Sequence, residues 1–84
     1  MPADFSTQAT LAWEHCLRML AAADMSVADI VKITQYLTRR SDLEAYRAIR
    51  AKYLGDARPA SMLSFVSELI WPDVYFELEI TAAK

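Results

Sequence analysis

The apolar residues of this chain change their spacing three times, and each change marks a boundary between helix and strand. Ala9, Trp13, Cys16, Leu17 and Leu20 recur at helical intervals and form one stripe able to lie on a sheet. From Ile30 to Leu37 the period becomes two, with Val31, Ile33 and Leu37 on one face and Ile30, Lys32, Thr34 and Tyr36 on the other. Leu43, Tyr46, Ile49, Tyr53 and Leu54 return to the helical repeat. Two further strands follow, about Ala60 to Leu69 and Val74 to Ala82, joined through "IWPD", where Pro72 fixes the backbone and removes a donor. In the last strand Val74, Phe76, Leu78 and Ile80 face one way and Tyr75, Glu77, Glu79 and Thr81 the other.

Polar residues punctuate these segments. Asp4 or Ser6 can cap the first helix, which should stop near Asp24, a residue that tolerates the left-handed exit conformation better than most. Ser41 and Glu44 have the spacing of a capping box for the second helix, and Gly55 is its C-terminal stop. The order α-β-α-β-β predicts an α+β domain over residues 1–84, a two-layer sandwich with two helices on one face of a mixed sheet. The strand from 30 and the strand from 60, connected by a helix, should lie parallel, and the last two strands should form an antiparallel hairpin. Such a sheet leaves its other face and at least one edge uncovered, so assembly is expected.

Size and composition strengthen that expectation. A chain of 84 residues buries only about 60 to 65% of its unfolded surface. Yet 55% of its residues are hydrophobic and only one is glycine, an apolar supply that points to contact with another subunit. A net charge of −2 gives no overall pull toward nucleic acid or an anionic membrane. Cys16 has no partner for an internal disulfide, and no basic stretch leading to an apolar core opens the chain, so a reducing cytoplasm is the expected compartment. No apolar run approaches the roughly 18 residues that span a bilayer.

Several segments, in this order, resemble a known family. "DIVKITQYL" as strand, "DLEAYRAIRAKYLG" as second helix, "RPAS" leading into the next strand, "VYFELEITA" as last strand and "STQATLAWEHCLRMLAAADMS" as first helix are similar to the Rid family, also called YjgF or endoribonuclease L-PSP. The resemblance implies a chorismate-mutase-like homotrimer with ligand sites in clefts between subunits. For the RidA branch it implies hydrolysis of 2-imino or enamine acids to 2-keto acids and ammonia, without a cofactor. Some relatives are described as ribonucleases or translation inhibitors. The family's N-terminal β-segment has no counterpart before Asp4, so the expectation is a fragment or a reduced member.

The resemblance also directs attention to particular residues. The RidA pattern Pro-Ala-Arg-Ser, whose arginine clamps the substrate carboxylate, here reads Pro59-Ala60-Ser61-Met62. A neutral hydroxyl replaces a charged planar fork, so imine hydrolysis is expected to be weak or absent. Arg58 is the candidate replacement, although its odd offset from Ser61 along extended chain directs it to the opposite face, toward Asp56 or solvent. Glu77 matches the acidic residue thought to position or activate water. Glu79 shares its face and is a second candidate, since neighbouring carboxylates perturb each other's titration. Tyr36 and Tyr75 are candidates for lining the cleft, whereas Trp13 and Phe76 read as core.

Two alternatives stand beside a metabolite-binding oligomer. One is an active deaminase using Arg58 as clamp and Glu77 as water activator; the other is a non-catalytic interaction or RNA-contacting module. Arg39, Arg40, Arg47, Arg50, Lys52 and Arg58 stand against Asp42, Glu44 and Asp56, a local balance of 6 − 3 = +3. Such a stripe is more often a solvated helix face than a phosphate track, so nucleic acid is not expected. His15 and Cys16 diverge by about 100 degrees on a helix and cannot form a nucleophile-base pair. No second His or Cys completes a zinc site, and one glycine cannot build a phosphate loop, so neither metal nor cofactor is expected.

Overall fold

The computed structural model describes residues 4–83. Helix α1 runs Phe5–Ala22, strand β1 Ile30–Leu37, helix α2 Leu43–Leu54, strand β2 Ala60–Phe65 and strand β3 Phe76–Ala82, with short 3-10 turns at Val27–Asp29 and Arg40–Asp42. Asp4 caps α1: its Oδ2 accepts from the Thr7 amide at 2.9 Å and the Thr7 hydroxyl at 2.8 Å. At the other end Asp24 adopts φ 61°. The Met25 amide reaches back to the Leu20 carbonyl and the Asp24 amide to that of Ala21, a pair of bonds that closes the helix with an aspartate where glycine is usual.

The second helix starts differently from expectation. Ser41 lies inside the 3-10 turn, α2 begins at Leu43, and Asp42 in the cap position makes no side-chain cap bond. Glu44, the other half of the expected capping box, instead accepts from Arg47 at 2.7 Å. Gly55 ends α2 with φ 56°, a conformation that an L side chain rarely adopts.

The sheet order is β2-β1-β3. β1 pairs parallel with β2, as the crossover requires, and antiparallel with β3. The expected β2–β3 hairpin does not form. β2 ends at Phe65, and residues 66–75 pass across the C-terminal end of β1 to reach its far side. Two bonds clasp that end: the Val66 amide donates to Leu37 and the Thr38 amide to Tyr75. β1 thus becomes the central strand, and both β2 and β3 present an outer edge.

One register detail changes which residues are buried. Pairing of β1 with β3 shifts between Ile30 and Lys32, a bulge that reverses the alternation at Val31. Ile30 is therefore buried and Val31 exposed, the reverse of their expected faces. The core joins Phe5, Ala9 and Trp13 of α1, Ile30, Ile33 and Leu37 of β1, Tyr46 of α2 and Phe76 of β3. Its aromatic rings pack edge to face, with Phe5 5.9 Å from Phe76 and 6.4 Å from Tyr46, while Trp13 stacks on Tyr53 at 5.8 Å.

Gln8 is buried among these apolar residues because it serves the backbone. Its amide donates to the Asp73 carbonyl and accepts from the Tyr75 amide, both at 2.8 Å, and so ties the first turns of α1 to the segment leading into β3. Replacing Gln8 by Ala is expected to cost about 1–3 kcal/mol, the penalty for part-buried groups left unpaired. Urea unfolding should show a lower midpoint at unchanged slope.

The cap at Asp4 carries a pH dependence. The Thr7 amide, and after it the Thr7 hydroxyl, hold the Asp4 carboxyl below its ordinary 3.8. A depressed folded value means that the cap contributes fully above the unfolded value and is lost as pH falls through the folded one. Exchange of the Thr7 amide, followed by NMR, should accelerate only below that point, and Asp4→Ala should abolish the pH dependence.

Candidate functional site

The site is built from one buried amide. Gln35 occupies the core-facing step of β1 between Ile33 and Leu37, and all three are fully buried. A buried amide must be satisfied on every side, and this one is. The Tyr46 hydroxyl donates to Gln35 Oε1 at 2.7 Å and the Arg50 guanidinium donates to the same oxygen at 3.3 Å. Gln35 Nε2 donates to the Met62 carbonyl at 2.7 Å and to Ser61 Oγ at 3.1 Å. Burial pushes the Tyr46 hydroxyl well above the ordinary phenol range, against the smaller opposing influences of Trp13 and Arg50, so it remains a donor. Ser61 Oγ, already accepting from Gln35, has its own proton left to offer outward.

Outward from Ser61 lies a groove of about 420 Å³ between α2 and the start of β2, lined by Arg47, Arg50, Leu54, Arg58, Pro59 and Ser61 among others. No carboxylate lines it. Arg58 does not point to the opposite face or pair with Asp56. Its Nη1 donates to the carbonyls of Gly55 at 3.1 Å and Ala57 at 3.0 Å, and it shares the groove with Ser61. Strand alternation fails here because β2 begins only at Ala60, while the left-handed turn at Gly55 and the ring of Pro59 set the path of residue 58. Arg47 reaches the groove already paired with Glu44, whereas Arg50 and Arg58 make no ion pair among the described residues.

The carboxylates lie on the other side of the sheet. Glu77 is opposite Tyr36 and Glu79 opposite Thr34 in the β1–β3 register, on the face away from the helices, and both acids are exposed. Tyr36 hydrogen-bonds Glu79; the charge of Glu79, with lesser contributions from burial and Glu77, raises the phenol above its ordinary value. Ser61 pairs with core-facing Ile33, so within one chain the structure does not bring Arg58 and Ser61 together with Glu77. Tyr75 belongs to neither group. Its ring lies 3.8 Å beneath the Arg39 guanidinium, at the end of the sheet.

The basic stripe is largely spent on internal contacts. Arg39 pairs with Asp42 at 2.8 Å, Arg40 lies over Phe65 and Lys52 over Tyr53. His15 is exposed, and burial raises the half-buried Cys16 thiol, which disfavours its nucleophilic form. Among the described residues no group of His, Cys, Asp and Glu is arranged to hold a metal ion, and no helix is long and apolar enough to cross a membrane.

Two helices packed on one face of a three-stranded mixed sheet match known proteins in sequence and in shape. The sequence matches the endoribonuclease L-PSP family over residues 1–84. The chain belongs to that family. A RutC family protein of Pyrococcus horikoshii is 33% identical over 81 residues, which cover 96% of this chain and 64% of the relative. This member of the endoribonuclease L-PSP family thus spans less than two thirds of that relative's length. The structure of E. coli TdcF with bound serine superposes with TM-score 0.91 at 29% identity, covering 100% of this chain and 68% of TdcF. A YjgF/YER057c/UK114 family structure from Mycobacterium tuberculosis gives TM-score 0.90 at 27% identity, over 98% of this chain and 70% of its own. The expected chorismate-mutase-like two-layer fold is the one found.

The Gln35 network makes a graded prediction. Gln35→Met strands the Tyr46 hydroxyl and the Met62 carbonyl and should cost about 2–4 kcal/mol. Tyr46→Phe leaves Gln35 Oε1 with Arg50 and should cost only about 1 kcal/mol. Denaturant melts of the two variants should keep that order.

Proposed function

We propose that this chain binds a small carboxylate-bearing metabolite of the 2-imino or 2-oxo acid class, with Arg50, Arg58 and Ser61 as donors, in a cleft completed by further copies in a homotrimer. The observation that carries this reading is the groove whose polar side chains are all donors, with two guanidinium groups that make no ion pair among the described residues and an outward hydroxyl. A guanidinium offers a planar pair of N–H donors that suits a carboxylate. Serine bound to a structural relative is consistent with a ligand of this size that carries a carboxylate. Assembly accounts for the apolar surface left bare by one chain, including Val31, Met62, Ile70 and Trp71.

Imine hydrolysis by this chain is weak or absent in this reading, because Ser61 offers a neutral hydroxyl where the RidA pattern has a charged planar fork. The active-deaminase alternative requires Glu77 to come from a neighbouring copy. The test is the hydrolysis rate of freshly generated 2-imino acids, measured with ligand affinity. Wild-type protein should bind the corresponding 2-oxo acid with little turnover, and Arg58→Ala should weaken binding by about 10- to 100-fold. Ser61→Arg should gain turnover. Strong wild-type turnover that Glu77→Gln abolishes would establish the deaminase instead, and unaltered binding in Arg58→Ala would overturn the assignment of that residue.

A further inference from the structure

Among the described residues the most exposed large apolar side chains are neighbours. Ile70 is 79% exposed and Trp71 62%. They stand on the segment between β2 and β3, outside any helix or strand, with Glu68 before them and Asp73 after, both exposed. This tip is not loose. The Val66 amide ties its start to Leu37, the Val74 amide closes a turn on the Trp71 carbonyl, and Gln8 holds the backbone of Asp73 and Tyr75. A tip fixed in this way keeps Ile70 and Trp71 in water, which is unfavourable unless another surface covers them.

The sign of charge selects that surface. Neither Glu68 nor Asp73 enters an ion pair among the described residues, so the tip presents two apolar side chains between two free acids. The groove beside α2 has the opposite sign: Arg47, Arg50 and Arg58 around Leu54 and Pro59, with no carboxylate in its lining. Opposite potentials on facing surfaces fix both partner and register. The two surfaces also lie at opposite ends of one strand, because the groove includes Ser61 near the start of β2 and the tip follows Phe65 at its end. Each strand residue adds about 3.3 Å to that separation, and the bond to Leu37 keeps the tip at the far end. The tip therefore does not fill its own groove. The occupant that matches it is a second copy.

We propose that Ile70 and Trp71 of one copy seat in the arginine groove of the next, with Glu68 and Asp73 against its guanidinium groups. The contact is head to tail, so every copy offers one knob and one socket, and the assembly grows until its rotation closes. Three such contacts close a trimer in which Trp71 forms a wall of its neighbour's cleft. The contact follows from the two surfaces and is independent of the ligand assigned to the groove.

Two variants and their mixture test it by size-exclusion chromatography with light scattering. Trp71→Glu spoils the knob. Ala51→Glu adds a carboxylate to the socket and leaves Arg50, Arg58 and Ser61 in place. Both positions are exposed, so the melting temperature should stay at that of a wild-type sample diluted to monomer, and Ile70→Ser gives a second, independent knob variant. Wild-type protein should assemble, and each variant should raise the dissociation constant at least about 30-fold, the loss expected of a central tryptophan anchor or its pocket. An equimolar mixture of Trp71→Glu with Ala51→Glu should give a one-to-one dimer and nothing larger, since one intact knob then meets one intact socket. A mixture that stays monomeric, variants that assemble like wild type, or a monomeric wild type would each overturn the proposal.

Discussion

Gln35 is the point at which the two layers and two of the three strands are held in one arrangement. Its amide bonds α2 through Tyr46 and Arg50, and β2 through Ser61 and Met62, from the central strand. Apolar contacts alone would let α2 slide over the sheet at modest cost, since dispersion is not directional. Four directed bonds to one fully buried side chain do not permit it. A displaced helix would leave several polar groups unpaired in a dry interior, where each is costly.

The same amide links stability to recognition. Its outer bonds end on Ser61 and Arg50, two of the groove's donors, so the positions of those donors are set by the packing of the core. The charges of the groove are also sorted by covalent neighbourhood. Glu44 answers Arg47 one turn along α2, while Arg58 is held by backbone carbonyls that carry no net charge. Of the nearby acids, Asp42 is held by Arg39 and Glu44 by Arg47, and no carboxylate enters the lining of the groove.

Much of this was readable from spacing alone. The helical repeats of Ala9 to Leu20 and Leu43 to Leu54, the period-two run of Ile30 to Leu37 and the parallel pairing across the α2 crossover all followed from local pattern. What was not readable depended on distant partners. The partner of β3 was decided by how far residues 66–75 reach, which the turn signal at Pro72 does not encode. The faces of Ile30 and Val31 were exchanged by a bulge set by β3. The Ser41–Glu44 box lost to a 3-10 turn and to Arg47. Gln35 did carry a signal: its phase places it with Ile33 and Leu37, and a glutamine at a core step implies a buried network. Arg58 was misdirected because alternation was applied ahead of the strand's first residue.

The bond set of Gln8 has a mechanical meaning. With no strand beside it, the segment before β3 satisfies part of its backbone on a side chain of the first helix. Residues 66–75 thus keep their path without a ladder along them, and the entry to β3 is indexed to the first helix rather than to the strand that precedes it.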